Sequence, residues 1–299
     1  CSIHVIDLEY IDNKMSADII TWLNARSATR IAFVDKEAYT DPYIFGSAFV
    51  NAAKKLGVLF LRNTKILGIN RENDRVTGVR TREDFYHGRD IVLAAGVWSV
   101  SIAASLGLAL PMAPVRSQYW VTDNYGALFS PDSPMVIIPE AHFYSRPFGS
   151  SLIFGIRESR PVYTDPRMLP DSVTDFDFSH DDGWCELEKG FPKILPFFPN
   201  SVDIGIRKYV AGYSGYTPDN QFILGDVPGF SDLFLATGCS GAGISVAGGI
   251  GLGISRLVAR KENPFDFSPH NVNRFGKIDP FSEGLMRRCA LSRSFKTSG

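Results

Sequence analysis

Cysteine is scarce and scattered. The 299-residue chain has four, Cys1, Cys185, Cys239 and Cys289, and no two form a CxxC pair. That spacing excludes a thiolate-built zinc or iron–sulfur centre and a disulfide framework, and a reducing cytoplasm is the simplest home. The five histidines, His4, His87, His142, His180 and His270, are isolated and show no ligand spacing, so no metal is expected. Neither sign of charge is in excess. A formal net charge of −1 gives no electrostatic case for nucleic acid or an acidic membrane surface. A basic start followed by an apolar core, the mark of a signal peptide, is missing too. So is an initiator Met, and the expectation is a chain that starts partway through a longer protein.

What is present is an ordinary globular composition, 44% hydrophobic and 21% charged, at a length that suits two interleaved domains. The most informative stretch is Asp232–Ser255. A short apolar strand, Leu233–Ala236, runs into a turn with glycines at 238, 241 and 243, then into a helix toward Arg260. Glycines at a helix start leave backbone N–H groups bare. With the positive end of the helix dipole, those donors suit an anionic or electron-rich ligand. Gly243, Ala247 and Gly251 share one helix face and admit another backbone or a flat ligand. The uncharged run Phe234–Ser255 is long enough to cross a bilayer. Seven of its residues are glycine and it opens with a turn, so no transmembrane segment is expected.

Upstream, Ile31–Val34 reads as a strand, and Asp41-Pro42 opens a helix that runs to Lys55 and stops at Gly57. Val58–Leu61, Thr64–Ile69 and Val76–Arg80 read as short strands, and Ile91–Ala95 as a strand buried on both faces of a parallel sheet. Between Pro111 and Gly212 the pattern changes. Alternation in Tyr119–Thr122, Met135–Ile138, Phe143–Arg146 and Leu152–Ile156 implies an antiparallel sheet, with Trp184–Phe198 as a helix lying on it. The reading is α/β plus α+β: residues 31–110 and 213–262 form one partial Rossmann-like domain and 111–212 an antiparallel-sheet domain. Residues 263–299 form a tail that wraps the surface.

Three segments, in this order, carry a resemblance: Glu37–Tyr43 with Lys55–Val58; Ile91–Ser99 with Leu110–Gln118; and Tyr216–Gly225 with Leu235–Gly243. Together they resemble the FAD-dependent D-amino-acid oxidase superfamily, in its branch with glycine oxidase and sarcosine oxidase or dehydrogenase. The resemblance implies an FAD-binding domain interleaved with a substrate domain, and oxidation of the C–N bond of an amino acid or secondary amine (sarcosine-, glycine- or proline-like) to an imine. It places Ile66 at the adenine-side backbone contact and Ala94, Ala95, Gly96 and Trp98 beside the adenosine half. Gly241, Ala242, Gly243, Ile244 and Ser245 fall at the pyrimidine edge of the flavin, where fixed donors stabilise the negative charge of the reduced ring.

Departures from the family pattern are informative. No GxGxxG follows an N-terminal strand, so the expectation is that this motif lies upstream of Cys1 or on a second subunit. Ser214 stands where glycine-oxidase-like members carry a carboxylate-binding Arg and monomeric sarcosine oxidases a flavin-linking Cys. FAD is therefore expected to be noncovalent, and a substrate carboxylate needs another cation. Arg146 and Arg116 are candidates by residue type, with Tyr119 and Tyr213 to orient the amine. The alternative reading is a partner-dependent or inactive subunit of a multi-subunit flavin dehydrogenase. A serine hydrolase is disfavoured, because Tyr216 and Ala242 break the GxSxG pattern.

Overall fold

The computed structural model describes residues 7–178 and 183–294, so His180 lies outside the described residues. The fold is mixed α/β. Near the N-terminus, β1 (Glu9–Ile11) pairs antiparallel with β2 (Ile31–Phe33), and α1 (Asn13–Ile19) lies between them in sequence. Helix α2 (Pro42–Lys55) forms as its sequence dictates: the Asp41 side chain accepts hydrogen bonds from the Tyr43 and Ile44 N–H groups, and Gly57 turns the chain away at φ +86°. Yet α2 buries none of its residues. Strands β3 (Gly68–Glu72), β4 (Arg75–Arg80) and β5 (Phe85–His87) make an antiparallel meander. The expected strand Val58–Leu61 forms no ladder, and Thr64–Ile69 becomes strand only from Gly68. An apolar run becomes a strand only where an edge exists to pair with, and here Leu56 and Leu59 stand 86% and 88% exposed.

Strand β6 (Ile91–Leu93) leads through a 3₁₀ turn into α3 (Ser99–Ala104). The middle of the chain builds a five-stranded antiparallel sheet from β7 (Ala113–Thr122), β8 (Val136–Ile138), β9 (Phe143–Phe148), β10 (Ser151–Ile156) and β11 (Ile206–Tyr216). Their spatial order is β11-β7-β10-β9-β8. Trp120, Phe143, Leu152, Phe154 and Ile156 point to one face and form the main aromatic core, capped by α4 (Trp184–Ile194) through Ile194. Gly190 lets that helix close, since a Cβ there would sit 2.9 Å from Ile156. By the two-residue period of a strand, Tyr119, Tyr144, Arg146 and Gly155 occupy the opposite face. The Tyr144 ring lies across Gly155, where an added Cβ would come within 2.2 Å of it.

Strands β12 (Ile223–Asp226) and β13 (Leu233–Thr237) join β6 in a second sheet ordered β12-β13-β6, with β13 and β6 parallel. β6 is thus an edge strand, and Val92 is 42% exposed rather than buried on both faces as expected. Helix α5 (Gly243–Val258) follows β13. The final helix, α6 (Glu283–Ser294), corrects the expectation of a tail wrapping the surface. Its Leu285, Met286, Cys289 and Ala290 are buried against Ala113, Val115 and Tyr216 of the large sheet.

The Thr217-Pro218-Asp219 segment has a structural task. Asp219 accepts two bonds from the Arg274 guanidinium, at 2.8 and 2.9 Å, and holds the 272–275 turn to the start of β12. Burial by itself would raise the Asp219 carboxyl pKa, but the Arg274 and Gln221 donors outweigh it and leave it lowered. A lowered carboxyl pKa stabilises the fold above the unfolded-state value of about 4 and ceases to do so as pH falls through the folded value. Asp219→Asn should therefore flatten the acid limb of a stability–pH curve from urea titrations, leaving a smaller loss of stability below about pH 4 than in the parent.

Candidate functional site

A groove of about 750 Å³ runs between β6, β13 and α5, from Arg89 and Ala259 at one end to Cys239 and Gly243 at the C-terminal ends of the two strands. Its walls are Val92 and Ala94 from the β6 side, Ala236, Thr237 and Cys239 after β13, and the Gly243, Ala247, Gly251 face of α5. Ligands of α/β sheets bind at this end of the strands, because the loops and helix N-termini converge there. The small-residue face anticipated from the sequence is the floor of the groove. Thr237 Oγ1 donates to the Gly96 carbonyl at 3.2 Å, so the Ala94–Gly96 turn and the glycine turn are tied side by side.

The start of α5 carries no side-chain cap. Its first N–H groups, from Gly243, Ile244 and Ser245, have no intrahelical acceptor, and Gly241, Ile244 and Ser245 are exposed. Ala242 differs, because its N–H is already bonded to the Cys239 carbonyl at 2.8 Å. The turn also abuts the large sheet: the Ser240 N–H donates to the Gly215 carbonyl at 2.8 Å, next to Ser214. Ser214 Oγ lies 3.4 Å from Ser117 Oγ, on the same sheet face as Tyr119.

The remaining candidates divide between locations. Ile66 is half-buried in the extended stretch before β3, away from the groove lining. Trp98 is held by packing: its indole N–H donates to the Pro170 carbonyl at 2.8 Å and its ring stacks on Phe176. Tyr119 and Arg146 share a sheet face. Burial raises the Tyr119 hydroxyl pKa, and the nearby Arg146 charge opposes that rise. Tyr213 pairs in register with Arg116 on the opposite face, its ring 5.2 and 5.0 Å from those of Phe176 and Phe178. Arg116 is engaged elsewhere, since its Nε donates to Glu158 at 2.7 Å in a pair fully removed from water. Tyr144, which the sequence did not single out, shares the face that carries Tyr119, and strand register is the signal that finds it.

Comparison with known proteins decides the family. A family model described as "FAD dependent oxidoreductase" matches residues 8–257. The chain belongs to this FAD-dependent oxidoreductase family. Among curated relatives of the family, human mitochondrial dimethylglycine dehydrogenase is 25% identical over 282 residues, covering 92% of this chain and 32% of that protein. Hydrogen cyanide synthase subunit HcnC of Pseudomonas aeruginosa is 25% identical over 236 residues, covering 78% of this chain and 52% of that one. The solved structure of L-proline dehydrogenase from P. horikoshii superimposes with a TM-score of 0.76 at 23% identity, covering 90% of this chain and 69% of that chain. The chain thus spans about a third to a half of the length of these curated relatives, and the fold is that of the family's FAD-dependent oxidases. The uncapped α5 start offers donors of the kind an electron-rich group such as FAD takes, and small residues line the groove beside it. Among the described residues no helix is long and apolar enough to cross a membrane.

Proposed function

We propose that this chain contributes the flavin and substrate faces of an FAD-dependent oxidoreductase that oxidises the C–N bond of an amino acid or secondary amine to an imine. The observation that carries the reading is the uncapped start of α5, opening beside the large sheet at Ser214. The N–H groups of Gly243, Ile244 and Ser245 would face the electron-rich edge of the flavin, and the Ala94–Gly96 turn, tied to the same place through Thr237, would lie beside them. FAD when bound supplies the hydride acceptor. The protein's part is to hold a neutral amine over the ring and to exclude water. Ser214 has no thiol, so the cofactor is held without a covalent link.

A specific observation also favours completion by a second structural unit. β6 has a free edge, and α2 buries none of its residues and leaves Ile44, Phe49, Leu56 and Leu59 exposed. A glycine-rich βαβ unit, adding a parallel strand to β6, would cover that edge and supply the pyrophosphate loop. The test is the blue absorbance of bound flavin in purified protein. We expect little or none from residues 1–299 alone, and a stoichiometric yellow species when a polypeptide bearing GxGxxG is co-expressed. A fully loaded lone chain contradicts the need for a partner; no flavin in either preparation contradicts the cofactor assignment.

A further inference from the structure

We infer that the cavity between α4 and the end of β10 is a binding site for a small dianion with a phosphate-like group, separate from the flavin groove. The cavity measures about 230 Å³ and shares no lining residue with the groove. Packing explains why charge converges there. Glu186, Lys189, Gly190 and Lys193 stand at i, i+3, i+4 and i+7 of α4 and so occupy one helix face. Gly190 lets that face close on Ile156, the last residue of β10. Lys193 is thereby brought to the same cavity as Arg157, which follows β10, and as His142, which a left-handed turn at φ +51° sets ahead of β9.

The charges there do not balance. Glu158 is fully buried and is shared by Arg116, at 2.7 Å, and Arg293, at 3.7 Å. Glu186 is taken by Lys189 at 2.7 Å and by the N–H and hydroxyl of Ser159. Among the described residues, neither the Arg157 guanidinium nor the Lys193 ammonium has an ion pair or a side-chain hydrogen bond. Arg157 is half-buried, where a charge without a partner is costly, and Arg293 repels it. Two unmatched cations suit a dianion better than a single carboxylate: the planar fork of Arg157 takes two oxygens and the Lys193 ammonium a third. An occupant would also tie α4 to the sheet.

His142 gives the site a pH signature. Partial burial, then the charges of Arg157 and Lys193, lower its pKa. The other charged groups of the cavity, Glu158, Glu186 and Lys189, are already paired. A bound dianion opposes the lowering, so the complex holds a proton that the free protein gives up, and affinity rises as pH falls toward about 6.

The test is calorimetric titration and thermal denaturation of the purified protein with sulfate and with acetate at fixed ionic strength. Sulfate keeps its charge throughout this pH range. We expect it to bind about tenfold more tightly than acetate and to raise the melting temperature. Arg157→Gln should melt no lower than the parent without sulfate, yet lose about tenfold or more in sulfate affinity. Lys193→Glu, at an exposed position, should also abolish binding, and exposed Arg82→Gln should not. His142→Asn, which suits the left-handed backbone, should keep sulfate binding at about pH 8 and abolish its rise on acidification. Equal binding of the two anions, or sulfate affinity that survives both Arg157→Gln and Lys193→Glu, overturns the assignment. So does loss with Ser245→Glu alone, which would put the sulfate at the uncapped start of α5.

Discussion

Arg116→Met is expected to destabilise the fold by about 3 kcal/mol or more, because breaking a buried ion pair strands the surviving charge in a medium that cannot solvate it. Arg116 is 1% exposed, Glu158 is fully buried, and the Nε to Oε1 distance is 2.7 Å. Arg293 Nη1, at 3.7 Å from the other Glu158 oxygen, is too distant to replace the lost bond, though its charge softens the penalty. Glu158→Gln should cost a similar amount, since it leaves both guanidiniums facing one another across a neutral amide. The double variant Arg116→Met/Glu158→Met should recover only part of the loss, because apolar groups replace the pair but leave the buried Arg293 guanidinium without its carboxylate. Urea titrations followed by circular dichroism read all three. A double variant as unstable as the worse single one would show that these side chains matter through contacts other than their mutual charge.

Gly238→Val should do comparable damage and also remove flavin. Gly238 adopts φ +64°, a left-handed backbone that a β-branched residue tolerates poorly. An added Cβ would meet Ile223 at 2.9 Å and Thr217 at 3.0 Å, on strand and motif positions that have little freedom to retreat. Strain and overpacking together should cost about 3 kcal/mol or more. The turn would shift, carrying the Ser240 bond to Gly215 and the start of α5 with it. In the assembled yellow protein we expect flavin absorbance to be lost at temperatures where circular dichroism still reports a folded chain. Gly248→Ala, in the exposed middle of α5 where an added Cβ meets nothing, should leave both signals unchanged.

Much of the fold was legible wherever local chemistry decides. Asp41, Pro42 and Gly57 bracket α2 by capping and backbone preference, and the glycines after Thr237 mark the turn into α5. Alternation marked parts of β7, β8, β9 and β10 of the large sheet, but β11 was not recognised. What failed was whatever depends on a distant partner. Val58–Leu61 has the composition of a strand but no edge beside it. Ile91–Leu93 is apolar throughout, yet it ends the sheet. Helix α6 did leave a signal, the spacing of Leu285, Met286, Cys289 and Ala290, hidden among the charged and proline-rich residues around it. The site was harder still. Tyr213 and Tyr119 look equivalent as residues, and only the pairing of β11 with β7 sends them to opposite faces.

The ring of Tyr144 resting on Gly155 has a consequence for how such a sequence can drift. No side chain can be gained at 155 while the aromatic remains, because even an alanine methyl would occupy the ring's own volume. Shrinking residue 144 first opens a void that a later alanine or serine at 155 can fill. The order of replacement is therefore fixed by packing, and the reverse order passes through a protein that cannot close this sheet.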